Sequence, residues 1–492
     1  MPIMANNFPK LRYNHFMAQI SLYSLPQLKK IRDNFINELI LAARGEKTSL
    51  AFIKNSLPLK PVVADDELFQ LMAIGGSVFH MALAKKSKNK ISLQKKVKFF
   101  LPHFSSREIF CKFFLEQLDP RVNTVALNLA YHLVPSLRHG LVDDRLVIPT
   151  KEQPFSGLVN KLIGQELEIY VFEKLKRRIR VAVANDAICL LLSTLPSQSR
   201  SSQRLSTVAG IVGAGTNFAF FLSPCQQAEN ENIAVNLESG NFDKFPPTAT
   251  GKIIDQNSDQ RGQQLLEKEV SGNYLYRHYN LLVKHSPSLW DTTWGIPLWR
   301  SGLQHQQGFG VRNPEPSRRY VGAGSLVNRG EKNRLLLSTF ELSQQAQLHP
   351  GGVNRGVTIA RKLIERSASL IACQIAGIYL FKTCRENKKS AQDTDSRHMS
   401  RVAANLMDNA RFTSLMHVRE DVSKHFKKEV TPFKFIMEGS LFWHGWHYQQ
   451  FVEDYLKKLA VRKNSVKFIN VKNSSLIGAS RLIAKLGRNG II

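Results

Sequence analysis

The stretch Leu68–Lys86, LFQLMAIGGSVFHMALAKK, places two apolar runs on either side of a glycine pair. Short apolar runs bounded by a glycine turn read as paired strands, so this segment commits the chain to sheet. Backbone amides around Gly75, Gly76 and Ser77 can crowd toward an anion, because glycine leaves room for close approach. The same geometry also serves a tight turn in a core. Between Phe69 and His80 no carboxylate, amine or guanidinium decides between the two. A second strand–glycine loop–strand pattern occurs at Ile211–Leu222, IVGAGTNFAFFL, where Gly213 and Gly215 are followed by Thr216 and Asn217.

Around these hairpins, strands and helices mix throughout, which defines an α/β chain. Residues 17–57 carry helical spacing, and Pro58–Asp66 is a linker. Strands are expected at Phe69–Ile74, Val78–Leu83, Lys96–Leu101, Thr124–Val134, Arg180–Ala184, Pro432–Glu438 and Ser465–Asn470. Helices are expected at Ser105–Leu118, Gly157–Arg178, Asp186–Leu195, Gly262–Lys284, Ile359–Glu386, His447–Leu459 and Ile477–Leu486. A chain of 492 residues is long for one core, so two domains or a bilobed body follow. Pro287–Asn333 reads as a packed loop, with Trp290, Trp294 and Trp299 as an alternative sugar-stacking platform.

The formal net charge is +29. It points either to nucleic acid or to a lysine-rich solvated surface. The second is preferred, because charge alone specifies no groove or base contact and no nucleic-acid signature accompanies it. The five cysteines form no CxxC pair, which fits a reducing compartment. The longest mostly apolar run, Val208–Leu222, is too short and too broken by glycines to span a bilayer. These features give the expectation of a soluble, cytoplasmic protein with no membrane partner.

Four pieces can carry chemistry. Asn185-Asp186 ends an apolar strand and opens a helix, where α/β folds place ligands. Asp186 is there either a general base, with Asn185 orienting a hydroxyl, or half of a helix cap. Glu238, in VNLESGNF, and Glu267, in QQLLEKEVSGNYL, each lie beside glycine in apolar surroundings. Two carboxylates and amides can accept vicinal sugar hydroxyls, and each glutamate alone can equally be a surface residue. His444 and His447, in FWHGWHY, lack a completing cluster, so stacking is favoured over metal binding.

In order, these pieces are the glycine hairpin, Thr150-Lys151, Asn-Asp, GxGTN, NxExG and GQQxxEKxxSGxYL. That order resembles the hexokinase family, in its large glucokinase-like branch. RSASLIACQIAGIYL, FIKNSLP and MEGSLFWHGWHYQQF resemble further family segments, and the resemblance covers roughly residues 45–490. It implies an actin-like, ribonuclease-H-like ATPase fold of two lobes, each with a mixed five-stranded sheet and flanking helices. Residues 1–64 would pack as a helical segment on the large lobe. Residues 65–184 with a C-terminal helix at 477–492 would form the small lobe, and 185–476 the large lobe.

By resemblance the chain is an ATP- and Mg²⁺-dependent hexose kinase acting on the sugar 6-hydroxyl. Asp186 would be the base. Thr150, Lys151, Asn185, Asn217, Glu238 and Glu267 would hold the sugar, and Gly75, Gly76, Ser77, Gly213, Gly215 and Thr216 the nucleotide phosphates. The alternative is a weak or inactive sugar-binding relative. The first phosphate loop, Asp-Leu-Gly-Gly-Thr-Asn-Phe-Arg in the family, has Ala73, Val78 and His80 in place of its Asp, Asn and Arg. Glu438 stands for an Asp and Ala214 for a Thr. The adenosine-side glycines are reduced to Ser474–Gly478, and Leu133-Val134-Pro135 replaces Ser-Phe-Pro.

Overall fold

The computed structural model describes residues 20–57, 61–75, 78–87, 90–148, 154–194, 205–222, 233–284, 335–348, 355–392, 432–459, 461–462 and 464–484. The Pro287–Asn333 loop and its tryptophans lie outside them. The chain opens with α1 (Leu25–Ala43), capped by a Ser24–Gln27 capping box with proline in its first turn. Gly45, at φ +85°, ends it. The helical spacing read over 17–57 therefore stops at α1, and residues 53–56 form a strand, β1 (Ile53–Ser56).

The glycine hairpin is formed by β2 (Leu68–Ile74) and β3 (Val78–Ser87), and β4 (Lys90–Phe100) follows. β4 is longer than expected. It is an edge strand whose Lys90, Lys95, Lys96 and Lys98 are exposed, and such lysines keep an open edge from pairing with other chains. Next come α2 (Arg107–Gln117), β5 (Thr124–Leu129), β6 (His132–Val134), β7 (Leu137–Arg138), β8 (Leu141–Val142) and β9 (Arg145–Ile148). The single strand expected over Thr124–Val134 breaks at Ala130, whose N–H turns to the Ile74 carbonyl. α3 (Ile163–Leu175) starts six residues later than its periodicity suggests. There the Asp143 carboxylate accepts the Gly164 and Gln165 N–H groups of its first turn. β10 (Arg180–Asn185) leads directly into α4 (Asp186–Leu192).

The second half holds β11 (Thr207–Val212), β12 (Thr216–Phe221), β13 (Ile233–Asn236), α5 (Ala249–Gln256), α6 (Leu265–Val270) and α7 (Gly272–Lys284). α8 (Thr339–Gln347), α9 (Arg355–Gln392), β14 (Phe433–Glu438), α10 (Ser440–His444), α11 (Tyr448–Lys458), β15 (Val466–Ile469) and α12 (Ser474–Ile483) complete it.

Two mixed sheets result. The small-lobe sheet is five-stranded, in the order β10-β5-β2-β3-β4. The large-lobe sheet, β1-β13-β12-β11-β14-β15, has six strands where five are expected. The additional strand is β1, paired antiparallel with β13. α1 packs on α9, and Gly377 makes the approach possible: a Cβ there would stand 2.7 Å from the Phe35 ring. Among the described residues one helical stretch, Arg355–Thr383, is long and apolar enough to cross a membrane. Of its apolar window 94% is buried inside the protein, as in a core helix.

α12 ties the lobes together. It packs on α4 and on the face of β2, β5 and β10, within one apolar cluster that also includes Ala209 and Ile436 of the large-lobe sheet. Gly478 is the contact point, since a Cβ there would run into the Cys189 backbone. Gly478→Ala is expected to cost about 1–3 kcal/mol by overpacking. Urea unfolding measures it, and an unchanged midpoint would contradict this packing.

Candidate functional site

The large-lobe side is built on glycines. β11 and β12 pair up to Val212–Thr216, leaving Gly213-Ala214-Gly215 as the loop, closed by Gly213 N–H donating to the Gly215 carbonyl at 2.9 Å. The start of α7 docks on it: the Gly272 and Asn273 N–H groups donate to the Gly213 and Ala214 carbonyls at 2.6 and 3.2 Å. A Cβ on Gly272 would meet the Gly213 carbonyl at 2.8 Å, and one on Gly213 would meet Gly439 Cα at 3.0 Å. This docking also explains why the helix expected over 262–284 divides into α6 and α7.

Glu267, in the first turn of α6, points into the loop, and its Oε2 accepts the Thr216 N–H at 2.9 Å. Side chains on Gly215 or Gly240 would collide with it, at 2.7 and 3.0 Å. α6 is held from behind. The Lys268 ammonium bonds Asp255 at 2.5 Å, and the buried Glu269 carboxylate takes Thr248 N–H at 2.7 Å and faces Arg366 at 3.4 Å. Buried His278 bonds Thr250 Oγ1 and the Lys268 carbonyl.

Glu238 follows β13 in the left-handed region, at φ 48° and ψ 49°. A non-glycine residue held there stores strain, of a kind that clusters at functional sites. Asn236 Nδ2 donates to its Oε1 at 2.7 Å, and Asn217 Nδ2 donates to Asn236 Oδ1 at 2.8 Å. The Asn217 Oδ1 takes the Phe218 and Ser239 N–H groups. Asn217 is thus a framework residue that orients the Glu238 carboxylate through Asn236. Across the cleft, His132 Nδ1 of β6 stands 3.8 Å from Glu238 Oε2.

Asn185 and Asp186 sit at the β10–α4 junction. Both Oδ1 atoms accept the Ala187 N–H at 2.9 Å, so Asn185 is the helix cap its residue type favours. Its Nδ2 donates to the Tyr131 carbonyl. Asp186, the first residue of α4, is half-buried, and its charge reaches Tyr131 and Glu438. Burial raises the Glu438 carboxyl pKa, the Ser474 Oγ bond at 2.8 Å opposes this, and Asp186 adds to it.

On the small-lobe side, the Gly75 N–H donates to the Val78 carbonyl, so it closes the hairpin. Cross-strand register sets Asn128, Ala73, His80 and Lys98 in one row across β5, β2, β3 and β4. Burial and Lys98 lower the His80 pKa. Gly76, Ser77, Thr150 and Lys151 lie outside the described residues. Thr216 Oγ1 is buried behind the second loop. His447 starts α11 with its ring edge-on to Trp446 and Phe451, a stacking arrangement. No cluster of three or more His, Cys, Asp or Glu fit to hold a metal occurs among the described residues. Sequence reasoning missed Asn236 and His132. Asn236 lies two residues before Glu238, and His132 directly precedes the Leu133-Val134-Pro135 segment, which could have pointed to it.

Two lobes on mixed sheets, with a glycine hairpin at the strand ends of each, define the actin-like ATPase fold. Solved hexokinase structures share it. One, from Schistosoma mansoni in complex with glucose, aligns with TM-score 0.63 at 17% identity, over 94% of this chain and 95% of that one. A second aligns with TM-score 0.59 at 17% identity, over 96% and 98%. The family model described as Hexokinase matches residues 207–285 and 332–485. Among curated relatives, the Plasmodium falciparum hexokinase is 33% identical over 94 residues, 19% of either chain. Hexokinase-2 of Schizosaccharomyces pombe is 26% identical over 53% of this chain and 56% of its own length. Hexokinase-5 of Oryza sativa subsp. japonica is 24% identical over 71% and 72%. The match thus spans from a fifth to just over half of the length of the first and second of these relatives. Over these matched residues the chain is similar to the hexokinase family, at low identity.

Burial pulls the His278 pKa down to about 4, with Glu269 opposing and Arg366 reinforcing. An unfolded histidine titrates near 6.5, so between the two values the unfolded chain binds the extra proton. This group's contribution to stability is therefore expected to fall as pH drops from 6.5 toward 4. His278→Gln should flatten that part of the curve relative to wild type, read from urea midpoints across the range. Parallel curves would contradict it.

Proposed function

We propose that this chain is a hexose kinase that transfers a phosphoryl group from Mg²⁺–ATP to the 6-hydroxyl of glucose or a related hexose. The observation that carries the reading is the convergence of Glu238 and Glu267, both oriented by amides of the large lobe, near the strand end that presents Asp186. Ionised carboxylates accept two or more hydroxyl protons each, which suits vicinal diols. Asp186 serves as the base for the attacking hydroxyl. Asn217 acts one step back, and Asn185 holds the junction. Thr150 and Lys151 belong to the same reading as small-lobe contacts. Closing of the lobes excludes water, so that the hexose hydroxyl takes the phosphoryl group.

Magnesium bound to nucleotide phosphates keeps several waters and needs only one or two carboxylates. Asp186 and Glu438, close enough for the Asp186 charge to raise the Glu438 carboxyl pKa, suit such a water-mediated hold. When bound, the ion neutralises phosphate charge. In a coupled ADP-release assay with glucose, mannose and fructose, turnover is expected, with a raised magnesium requirement because Ala73 supplies no acid. Asp186→Ala should cut kcat by about 10²–10⁴ while glucose still binds. Retention within threefold would contradict its role. Gly215→Ala should push the Glu267 carboxylate off Thr216 and weaken glucose binding, measured calorimetrically; unchanged affinity would remove Glu267 from the site.

A second reading, a sugar-binding protein without turnover, has its own observation: alanine and a self-bonded Gly75 N–H stand where the phosphates would lie. It is favoured if glucose raises Tm but no ADP is released.

A further inference from the structure

Position 133 in this chain has no hydroxyl, and the structure shows what that segment does instead. Leu133 is buried in the small-lobe core with Phe155 and Leu146. The β6–β9 register shifts between His132 and Leu133. A bulge of this kind re-aims the neighbouring side chain. His132 here faces out of the small lobe, toward Glu238 of the other lobe. Its backbone is fixed on both sides, by pairing with Ile148 and by the Asn185 Nδ2 bond to the Tyr131 carbonyl. Glu238 is equally fixed, by its left-handed backbone and by Asn236 on Oε1, which leaves Oε2 as the oxygen facing the imidazole.

The 3.8 Å between Nδ1 and Oε2 is too long for a direct hydrogen bond. It is the right span for a third group, since a hydroxyl oxygen can sit about 2.8 Å from both atoms at once. Both side chains keep 13% exposure, so neither is sealed from solvent. We propose that His132 is a specificity-determining residue: its imidazole and Glu238 Oε2 grip one hexose hydroxyl from opposite lobes. Burial lowers the His132 pKa and so favours the neutral ring, which offers one donor and one acceptor. A hydroxyl can then donate to the carboxylate and accept from the ring N–H. The pair also joins sugar recognition to lobe approach, because His132 and Glu238 hang from different sheets. The assignment rests on the hexose reading above.

The test is calorimetric titration of wild type, His132→Ala and His132→Asn with glucose and its monodeoxy analogues. His132→Ala is expected to weaken glucose at least tenfold, and His132→Asn, which keeps a donor near Nδ1, to restore part of it. One deoxy sugar, lacking the gripped hydroxyl, should bind wild type and His132→Ala within twofold of each other. Equal glucose affinity in wild type and His132→Ala would overturn the assignment alone. Equal losses across all the sugars would also overturn it, by making the role structural. Wild type that binds no hexose would overturn the hexose reading itself. Should the variants fail to fold, the wild-type His132 ring resonance decides: a shift on adding glucose supports the grip, and no shift overturns it.

Discussion

The bond from Thr216 N–H to Glu267 Oε2 is the contact around which the large lobe is arranged. It can form only because Gly215 and Gly240 leave the carboxylate its space. It is aimed only because Glu269 and Lys268, on the same short helix, are tied to Arg366, Thr248 and Asp255. The same loop receives α7 at Gly272 and the β14 turn at Gly439, whose φ of +117° only glycine adopts readily. Four separated motifs are thus parts of one packing solution: Gly215 and Gly240 make room for the carboxylate, and Gly272 and Gly439 let the loop that holds it be packed from two further sides.

The two sides of the cleft are built differently. On the large lobe, polar side chains form a continuous chain from Asn217 through Asn236 to Glu238, and each member has a partner. On the small lobe, the hairpin presents Ala73 and a Gly75 N–H closed on its own turn, beside His80 and Lys98. Alanine, and no acid, beside His80 and Lys98 makes this face of the small lobe more positive.

Much of this was legible in the sequence. Glycines at 213, 215, 240 and 272 mark close approach, and apolar periodicity placed α4, β10 and β14 within a few residues. The order of motifs gave the fold, because each motif reports a local geometry and the order reports how they connect. Other features were not legible. The turn of β1 into the large-lobe sheet depends on pairing with β13, some 180 residues away, and no local pattern encodes a partner at that distance. Asn185 reads as a sugar ligand or as a cap, and the Ala187 bond shows that it does cap α4. The place of His132 opposite Glu238 depends on a bulge and on a carboxylate of the other lobe, which no local pattern encodes.

Amide hydrogen exchange with and without saturating glucose tests the central claim most directly, namely that the Glu267–Glu238 constellation is a hexose site. Glucose is expected to slow exchange in segments 213–218, 236–241 and 264–272, and to leave α2 unchanged. Exchange unaltered in all three segments, or protection confined to other parts of the chain, would contradict it.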